Sequence, residues 1–447
     1  MSHPLVTAPI GRSLLRLAGP TTAVMGMQVV VAVAEAWFVA RLGVDSLAGI
    51  ALVIPFVTLM MNMANGGMGG GVASALARAL GAGRLDDARA LVLHALLLGL
   101  GCSLVFTLFA WIALPTAFRW LGGSGAVLQQ ALAFSTVWFG GAAVVWLNAF
   151  LSALLRGGGD AATPSRIGFV LSVIYIPLLG VLTLGLGDWR GLGLVGSAIA
   201  PLITGGVGVA LLGRAIAIGR AGFWRTLAGV PLQPRLFAEI LRVGAMGSVS
   251  TVTATFTAML VTGLVGRFGT AALAGYSIGM RLEFMLAPLA FGIGTGATTL
   301  VGIAAGADAW QRAVKVAWTG GLIAFAAMGA IGWAVALLPA TWSSLFASDP
   351  AVVAASVACI VHVAPFYCLF GLGLTLNFAS QGAGRMAVPV AASVARLVVA
   401  AAGGWFAAEK LGLGLDGVFM AVAASLAIYG LLIAGALLFF PWKSRRR

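Results

Sequence analysis

Leu42-Gly43-Val44-Asp45-Ser46-Leu47-Ala48-Gly49 returns in looser form as Phe268-Gly269-Thr270-Ala271-Ala272-Leu273-Ala274-Gly275, and this echo decides how the chain is built. Three further stretches keep the register. Gly67-Met68-Gly69-Gly70-Gly71 is answered by Gly292-Ile293-Gly294-Thr295-Gly296, and Gly81-Ala82-Gly83 by Gly306-Ala307-Asp308. Arg156-Gly157-Gly158-Gly159-Asp160, with Pro164, is answered by Gln381-Gly382-Ala383-Gly384-Arg385, with Pro389. The offset is 225 or 226 residues in these four, and 221 in a fifth echo of Gly191-Leu192-Gly193-Leu194 by Gly412-Leu413-Gly414-Leu415. Single matches arise by chance in a chain rich in Gly, Ala and Leu. A constant register across four landmarks does not.

What is repeated is membrane-spanning. The 447 residues are 61% hydrophobic and 9% charged, with mean hydropathy +1.07. A soluble domain carries about 25% charged residues, so so few charges cannot cover a water-exposed surface. Apolar runs of about 20 residues or more, each long enough to cross a bilayer, recur from end to end. They are too long and too unalternating for barrel strands, and helices satisfy every backbone group internally. The spacing predicts helices over 14–42, 46–80, 88–115, 124–155, 163–187, 192–215, 237–267, 272–304, 311–338, 350–381, 386–410 and 415–441. Gly43, Gly81, Gly123, Gly157, Gly269, Gly306, Pro339, Gly382 and Gly412 punctuate them. Trp120, Trp189, Trp342 and Trp442 sit near the expected interfaces.

Six spans per repeat is an even number, so both halves insert in the same orientation. The predicted fold class is an all-α membrane protein of twelve transmembrane helices in two six-helix lobes, 1–215 and 237–447, related by a pseudo-two-fold axis along the membrane normal. The polar segment 216–236, with Arg220, Phe223, Trp224, Arg225 and Pro231 to Pro234, reads as a cytoplasmic linker lying along the membrane surface. Carriers built from such repeats hold substrate near midplane between them and alternate access by rocking.

The net charge of +14 does not point to nucleic acid, because its distribution follows the positive-inside rule. One set of loops holds Arg12, Arg16, Arg78, Arg84, Arg89, Arg156, Arg166, Arg214, Arg220, Arg225, Arg235, Arg242, Arg312, Lys315 and Lys443 with Arg445 to Arg447. The other has isolated charges such as Arg41, Arg119, Arg190, Arg267 and Lys410. Both termini are therefore expected in the cytoplasm. Met1 to Pro9 is a short polar lead without a cleavable signal pattern. Cys102, Cys359 and Cys368 all lie in apolar stretches and make no disulfide framework. With His3, His94 and His362 scattered, neither a metal site nor a cofactor is expected, and no nucleophile–base set suggests an enzyme.

Of only 12 Asp and Glu, Glu35 and Glu283 alone lie deep inside apolar segments. An ionisable side chain at bilayer depth costs about 2.5–3.5 kcal/mol on insertion scales and marks function by default. Glu35 is the first candidate.

Around it a family resemblance comes into view. Glu35-Ala36-Trp37-Phe38-Val39-Ala40-Arg41-Leu42-Gly43, followed by Leu47-Ala48-Gly49, resembles the end of helix 1 and start of helix 2 in the multidrug and toxic compound extrusion (MATE) family. So do Gly81-Ala82-Gly83-Arg84 with Ala88, and Leu155-Arg156-Gly157 through Thr163-Pro164. The resemblance covers about residues 10 to 440. It implies an inner-membrane exporter of amphipathic, often cationic compounds, driven by inward H+ or Na+. The loop Gly81-Ala82-Gly83-Arg84-Leu85-Asp86-Asp87-Ala88-Arg89 fits poorly with the basic and acidic signature of the major facilitator carriers.

Glu35 stands where MATE proteins place a helix-1 acid, usually Asp, and is the expected ion-coupling carboxyl; a permanently protonated structural Glu is the bland alternative. Gln28, two turns away on the same helix face, suits a substrate or water contact or a helix–helix hydrogen bond. On helix 5, the family's acid–proline element reads Ser172-Val173-Ile174-Tyr175-Ile176-Pro177, with Ser172 for an amide and Ile176 for the acid. That departure weakens a Na+ site, which favours several oxygen ligands, and leaves H+ as the preferred coupling ion. Glu283 is a second ion-coupling candidate, or a structural group paired with Arg396; Arg281, two residues away, points elsewhere on a helix. Asn62, Asn148, Trp37, Tyr276 and Tyr367 are the other candidate substrate contacts, with aromatic faces for cation–π or stacking contacts worth about 0.5–2 kcal/mol. Trp138, Trp146 and Tyr175 are further aromatic candidates. Gly157-Gly158-Gly159-Asp160 is discounted as a phosphate loop because no strand precedes it.

The expectation is a secondary exporter of small organic substrates, working as a monomer in the bacterial cytoplasmic membrane. A flippase for lipid-linked saccharides, from the same superfamily by resemblance, is the alternative. It would want a basic cavity, which Arg281 and Arg396 do not clearly supply.

Overall fold

The computed structural model describes residues 4–218 and 229–443. Arg220, Phe223, Trp224 and Arg225 of the expected linker, and Arg445, Arg446 and Arg447, lie outside the described residues.

Among the described residues the regular structure is helical, and the long apolar helices follow the order read from the sequence. They are α1 (Ile10–Ala40), α2 (Val44–Gly81), α3 (Leu85–Trp120), the bent pair α4 (Gly125–Gly140 with Ala142–Gly157), α5 (Ala162–Leu184), α6 (Leu194–Ile218), α7 (Pro234–Gly266), α8 (Thr270–Gly306), α9 (Trp310–Leu337), α10 (Pro350–Ala383), α11 (Ala387–Lys410) and α12 (Gly414–Phe439). Eleven are long and apolar enough to cross a membrane singly, and the bent pair makes the twelfth. The 23 residues of α5 rise about 34 Å, enough for a hydrocarbon layer of about 30 Å.

α4 corrects the uninterrupted helix expected over 124–155, because it bends by 46° at its break. A Cβ on Gly141 would lie 2.4 Å from the Leu202 side chain, so α6 packs into a notch that only glycine leaves. A short helix, Pro339–Ser344, not read from the sequence, precedes α10. Within the long helices, a 3-10 turn at Ala364–Phe366 interrupts α10 at Pro365. π-turns occupy Met63–Met68 of α2 and Val399–Gly403 and Phe406–Lys410 of α11. Such turns widen the helix locally and are common at functional sites.

The repeat is visible in the backbone. Gly43 before α2 has φ 103° and ψ 173°, and Gly269 before α8 has φ 100° and ψ 175°. That region is closed to side-chain-bearing residues, which is why this glycine recurs. Gly83 (φ 71°) matches Asp308 (φ 56°), and Gly159 (φ 89°) matches Gly384 (φ 68°).

The chain forms two compact units. The C unit holds the described residues of Met1–Thr22, Ala77–Gly83 and Ala245–Arg447, and the N unit those of Ala23–Leu76 and Arg84–Gly244. The start of α1 thus packs with the later helices, where Ala18 joins Ile293 and Ala324 in a buried cluster. The start of α7 belongs to the N unit.

Candidate functional site

In the N unit, α1 lies along α5 through one face spaced at three and four residues: Val24, Gln28, Val31, Glu35 and Phe38. Val24 meets Gly168, where a Cβ would stand 3.1 Å from its Cγ2, and Phe38 meets Gly180, where a Cβ would stand 2.8 Å from its ring. Between them Gln28 Nε2 donates to Ser172 Oγ at 3.2 Å, and that hydroxyl donates onward to the Gly168 carbonyl at 2.9 Å. Val31 and Phe38 pack with Ile176 and Leu182 on the buried Tyr175, Leu179 and Ala200.

Glu35 falls on this face, one turn from both Val31 and Phe38. It lies within electrostatic reach of Tyr175. Among the described residues no cation or hydrogen-bond donor holds its carboxyl. Arg41, the nearest cation in sequence, instead covers Trp37, its Cζ 3.8 Å from the ring centroid. Two of the eight site residues read from the sequence, Gln28 and Glu35, therefore come together here.

The other N-unit candidates stand apart. Trp37 is exposed beyond Glu35, edge-on to Phe38 at 4.9 Å. Asn62 is exposed at the last residue before the π-turn of α2. Asn148 Nδ2 donates to the Gly205 carbonyl at 3.2 Å, which ties α4 to α6. Trp146 is buried against Phe106 and Phe150, and Asp160 accepts from Thr163 N and Oγ1 at the start of α5.

A second polar cluster lies inside the C unit. Glu283 of α8 and Arg396 of α11 form an ion pair, Oε1 to Nη2 at 3.6 Å. Arg281 turns away onto the Phe346 ring at 4.8 Å. Tyr276 and Tyr367, both buried, lie within electrostatic reach of Glu283 and Arg396. The Arg396 guanidinium also faces the rings of Phe370 on α10, at 4.7 Å, and Tyr429 on α12, at 5.8 Å. Tyr429 Oη accepts from Asn377 Nδ2 at 2.8 Å.

Phe370, Asn377 and Tyr429 were not singled out by sequence. A signal existed: the chain has only 4 tyrosines, and three of them converge on this one cluster. Polar aromatics that rare, placed within apolar spans, are worth pairing with every deep charge.

A third set was also missed. Asp87, near the start of α3, is largely buried and accepts from both terminal nitrogens of Arg235 at the start of α7. It takes a further bond from Arg84 at 2.9 Å. About two turns along α3, the fully buried His94 accepts the Gln233 backbone N–H at Nε2, 2.8 Å away, with Nδ1 directed at the Ala90 carbonyl. The bonds to Arg235 and Gln233 span 148 and 139 residues, a separation that no local pattern announces.

Comparison with known proteins places these features in a family. A family model described as MatE matches residues 20–180 and 248–406. A FAD transporter of Shewanella oneidensis is 24% identical over 381 residues, covering 85% of this chain and 83% of that protein. Probable multidrug resistance proteins NorM are 24% identical in Thermotoga maritima, covering 98% and 94%, and 28% identical in Deinococcus radiodurans, covering 96% and 95%. A MOP superfamily transporter structure from Pyrococcus furiosus superposes with TM-score 0.89 at 22% identity, covering 97% of both chains. An outward-facing multidrug resistance MATE transporter superposes with TM-score 0.88, also at 22% identity, covering 97% and 96%.

Proposed function

The chain belongs to the MatE family, and from that premise we propose that it exports amphipathic organic compounds in exchange for protons, with Glu35 as the coupling group. One observation carries the choice of Glu35. Its carboxyl sits on a packed helix face with no cation or donor holding it among the described residues. A carboxyl fixed to a cation is committed, whereas one without a partner can exchange its proton with the medium as access changes.

H+ is favoured over Na+ by the surroundings. A hard cation takes several oxygen ligands, and α5 presents Ile176 and Leu179 beside the face that bears Glu35. Gln28 and Ser172, two turns away, provide a polar step along that face. In the proposed cycle, Glu35 takes up a proton when open to the outside, α1 shifts on α5, substrate leaves, and the proton is released inward. Each charge moved inward contributes about 2.3 kcal/mol per 100 mV, roughly a fifty-fold gradient; a singly charged cationic cargo exchanged one for one cancels this and leaves the pH term.

The same reading makes lobes 1–215 and 237–447 the moving parts, joined by 216–236. It places a monomer in the bacterial cytoplasmic membrane with both termini inside. Gln28, Trp37, Asn62, Asn148, Tyr276 and Tyr367 remain the proposed substrate contacts.

The test uses purified protein in liposomes, an imposed pH gradient, no Na+, and ethidium as cargo. Gradient-driven movement should occur with the native chain and be lost in Glu35→Gln. Equal transport by the variant, or transport that responds only to a Na+ gradient, overturns the proposal.

A further inference from the structure

The Glu283–Arg396 pair is poorly made for a purely structural role. A guanidinium carries five N–H donors in a planar fork, and a structural pair with a carboxylate is normally bidentate at about 2.7–2.9 Å. Here the closest approach is 3.6 Å. Arg396 Nε is buried and has no hydrogen-bond partner among the described residues. A buried ion pair that leaves donors unsatisfied does not recover its desolvation, so such a group calls for an explanation. Neither side chain is sealed, at 15% and 14% exposure.

The chemistry around the pair is asymmetric. The guanidinium lies over Phe370 and near Tyr429, and Tyr276 and Tyr367 lie within electrostatic reach of the pair. Tyr429 already accepts from Asn377, so its own hydroxyl proton remains to be donated. Donors and aromatic faces therefore predominate, and the carboxylate a cation would need is already neutralised by Arg396. A planar fork beside flat rings matches a two-oxygen anion attached to an aromatic body. The π-turn beginning at Val399, three residues beyond Arg396, locally widens the helix that carries it.

We propose that Arg396 receives the carboxylate of an aromatic organic acid or zwitterion, Glu283 being the internal carboxylate that this group displaces. The inference rests on the exporter reading and gives it a substrate class, carried by the C unit. No covalent step is involved. Glu283 holds the guanidinium when substrate is absent, and the incoming carboxylate takes over its fork while the ring stacks on the aromatic wall.

The experiment measures equilibrium binding of 2-naphthoate and of its uncharged amide, 2-naphthamide, to the full chain in phosphatidylcholine nanodiscs, with empty discs subtracted. The native protein should prefer the carboxylate at least tenfold. Glu283→Gln, which removes the competitor, should bind naphthoate several-fold tighter, whereas a merely structural pair would give weaker binding or none. Arg396→Lys should keep part of the preference, having charge without the fork. Because Arg396→Gln strands a buried carboxylate, the neutral double variant Glu283→Gln with Arg396→Gln is the better probe: it should stay folded and lose the preference. Equal binding of acid and amide by the native chain, or a preference that survives in the double variant, overturns the proposal. Since no transport is read, intact binding with failed export rejects the exporter reading alone, and export without carboxylate preference rejects this inference alone.

Discussion

Gly81 on α2 and Gly306 on α8 make the same contact in exchange: a Cβ on Gly81 would lie 2.1 Å from the Ile303 carbonyl oxygen, and a Cβ on Gly306 would lie 2.1 Å from that of Arg78. The two glycines are 225 residues apart, and so are the two residues they touch. Reciprocity of this kind is what a local two-fold relation between the helix ends produces. Arg78 adds to it, donating from Nη1 to the carbonyls of Gln381 at 3.4 Å and Gly382 at 3.2 Å.

Because backbone meets backbone at this crossing, no side-chain rotation can relieve an added methyl. Gly81→Ala or Gly306→Ala should destabilise the protein by about 1–3 kcal/mol, the usual range for overpacking. Thermal unfolding in detergent measures it. Gly101→Ala on α3, with nothing within 4 Å of its Cβ, is the control and should be neutral or slightly stabilising. A Gly81→Ala protein as stable as the control would mean the helices do not cross this closely.

For Glu35, charge and reach can be separated. Glu35→Asp keeps the carboxyl but withdraws it by one methylene from the α5 face, so pH-driven efflux should fall several-fold. Glu35→Gln removes the titrating group and should lower efflux to the level of empty liposomes, while substrate binding persists. Efflux that is indifferent to both changes leaves Glu35 without a coupling role.

The Asp87–Arg235 contact predicts non-additivity. Asp87→Asn should lower the unfolding temperature, and adding Arg235→Gln should lower it little further, since the partner has already gone. Double-mutant analysis reads the coupling directly. Independent, additive losses would show that the two side chains do not act as a pair.

His94 offers a separate reading of the same region. His94→Phe keeps a ring beside Phe237, now 4.4 Å away centroid to centroid, yet removes the acceptor of the Gln233 N–H. An unsatisfied buried N–H costs about 1–3 kcal/mol. Hydrogen exchange at Gln233 should quicken in the variant, and an unchanged rate would deny the bond.

Much of this protein is written locally. Composition demanded spanning helices, and Gly43 with Gly269, or Gly83 with Asp308, recorded the repeat because a backbone angle needs a particular residue wherever it recurs. Glu35 and Glu283 stood out for the same kind of reason, since a carboxyl in an apolar run is conspicuous by its cost. The bend of α4 was less legible: Gly140 and Gly141 permit it, but Leu202 of α6 fills it. What local pattern could not give was partnership. The sequence offered Arg396 as one possible partner of Glu283, and the structure bears this out, but whether a deep acid meets a cation is decided by which helices lie side by side; only the tertiary structure set Glu283 beside Arg396 while leaving Glu35 within electrostatic reach of Tyr175 on a face with apolar neighbours. Helix formation depends on neighbours a few residues away, whereas charge pairing depends on distances of a few ångströms between residues that here are more than a hundred positions apart.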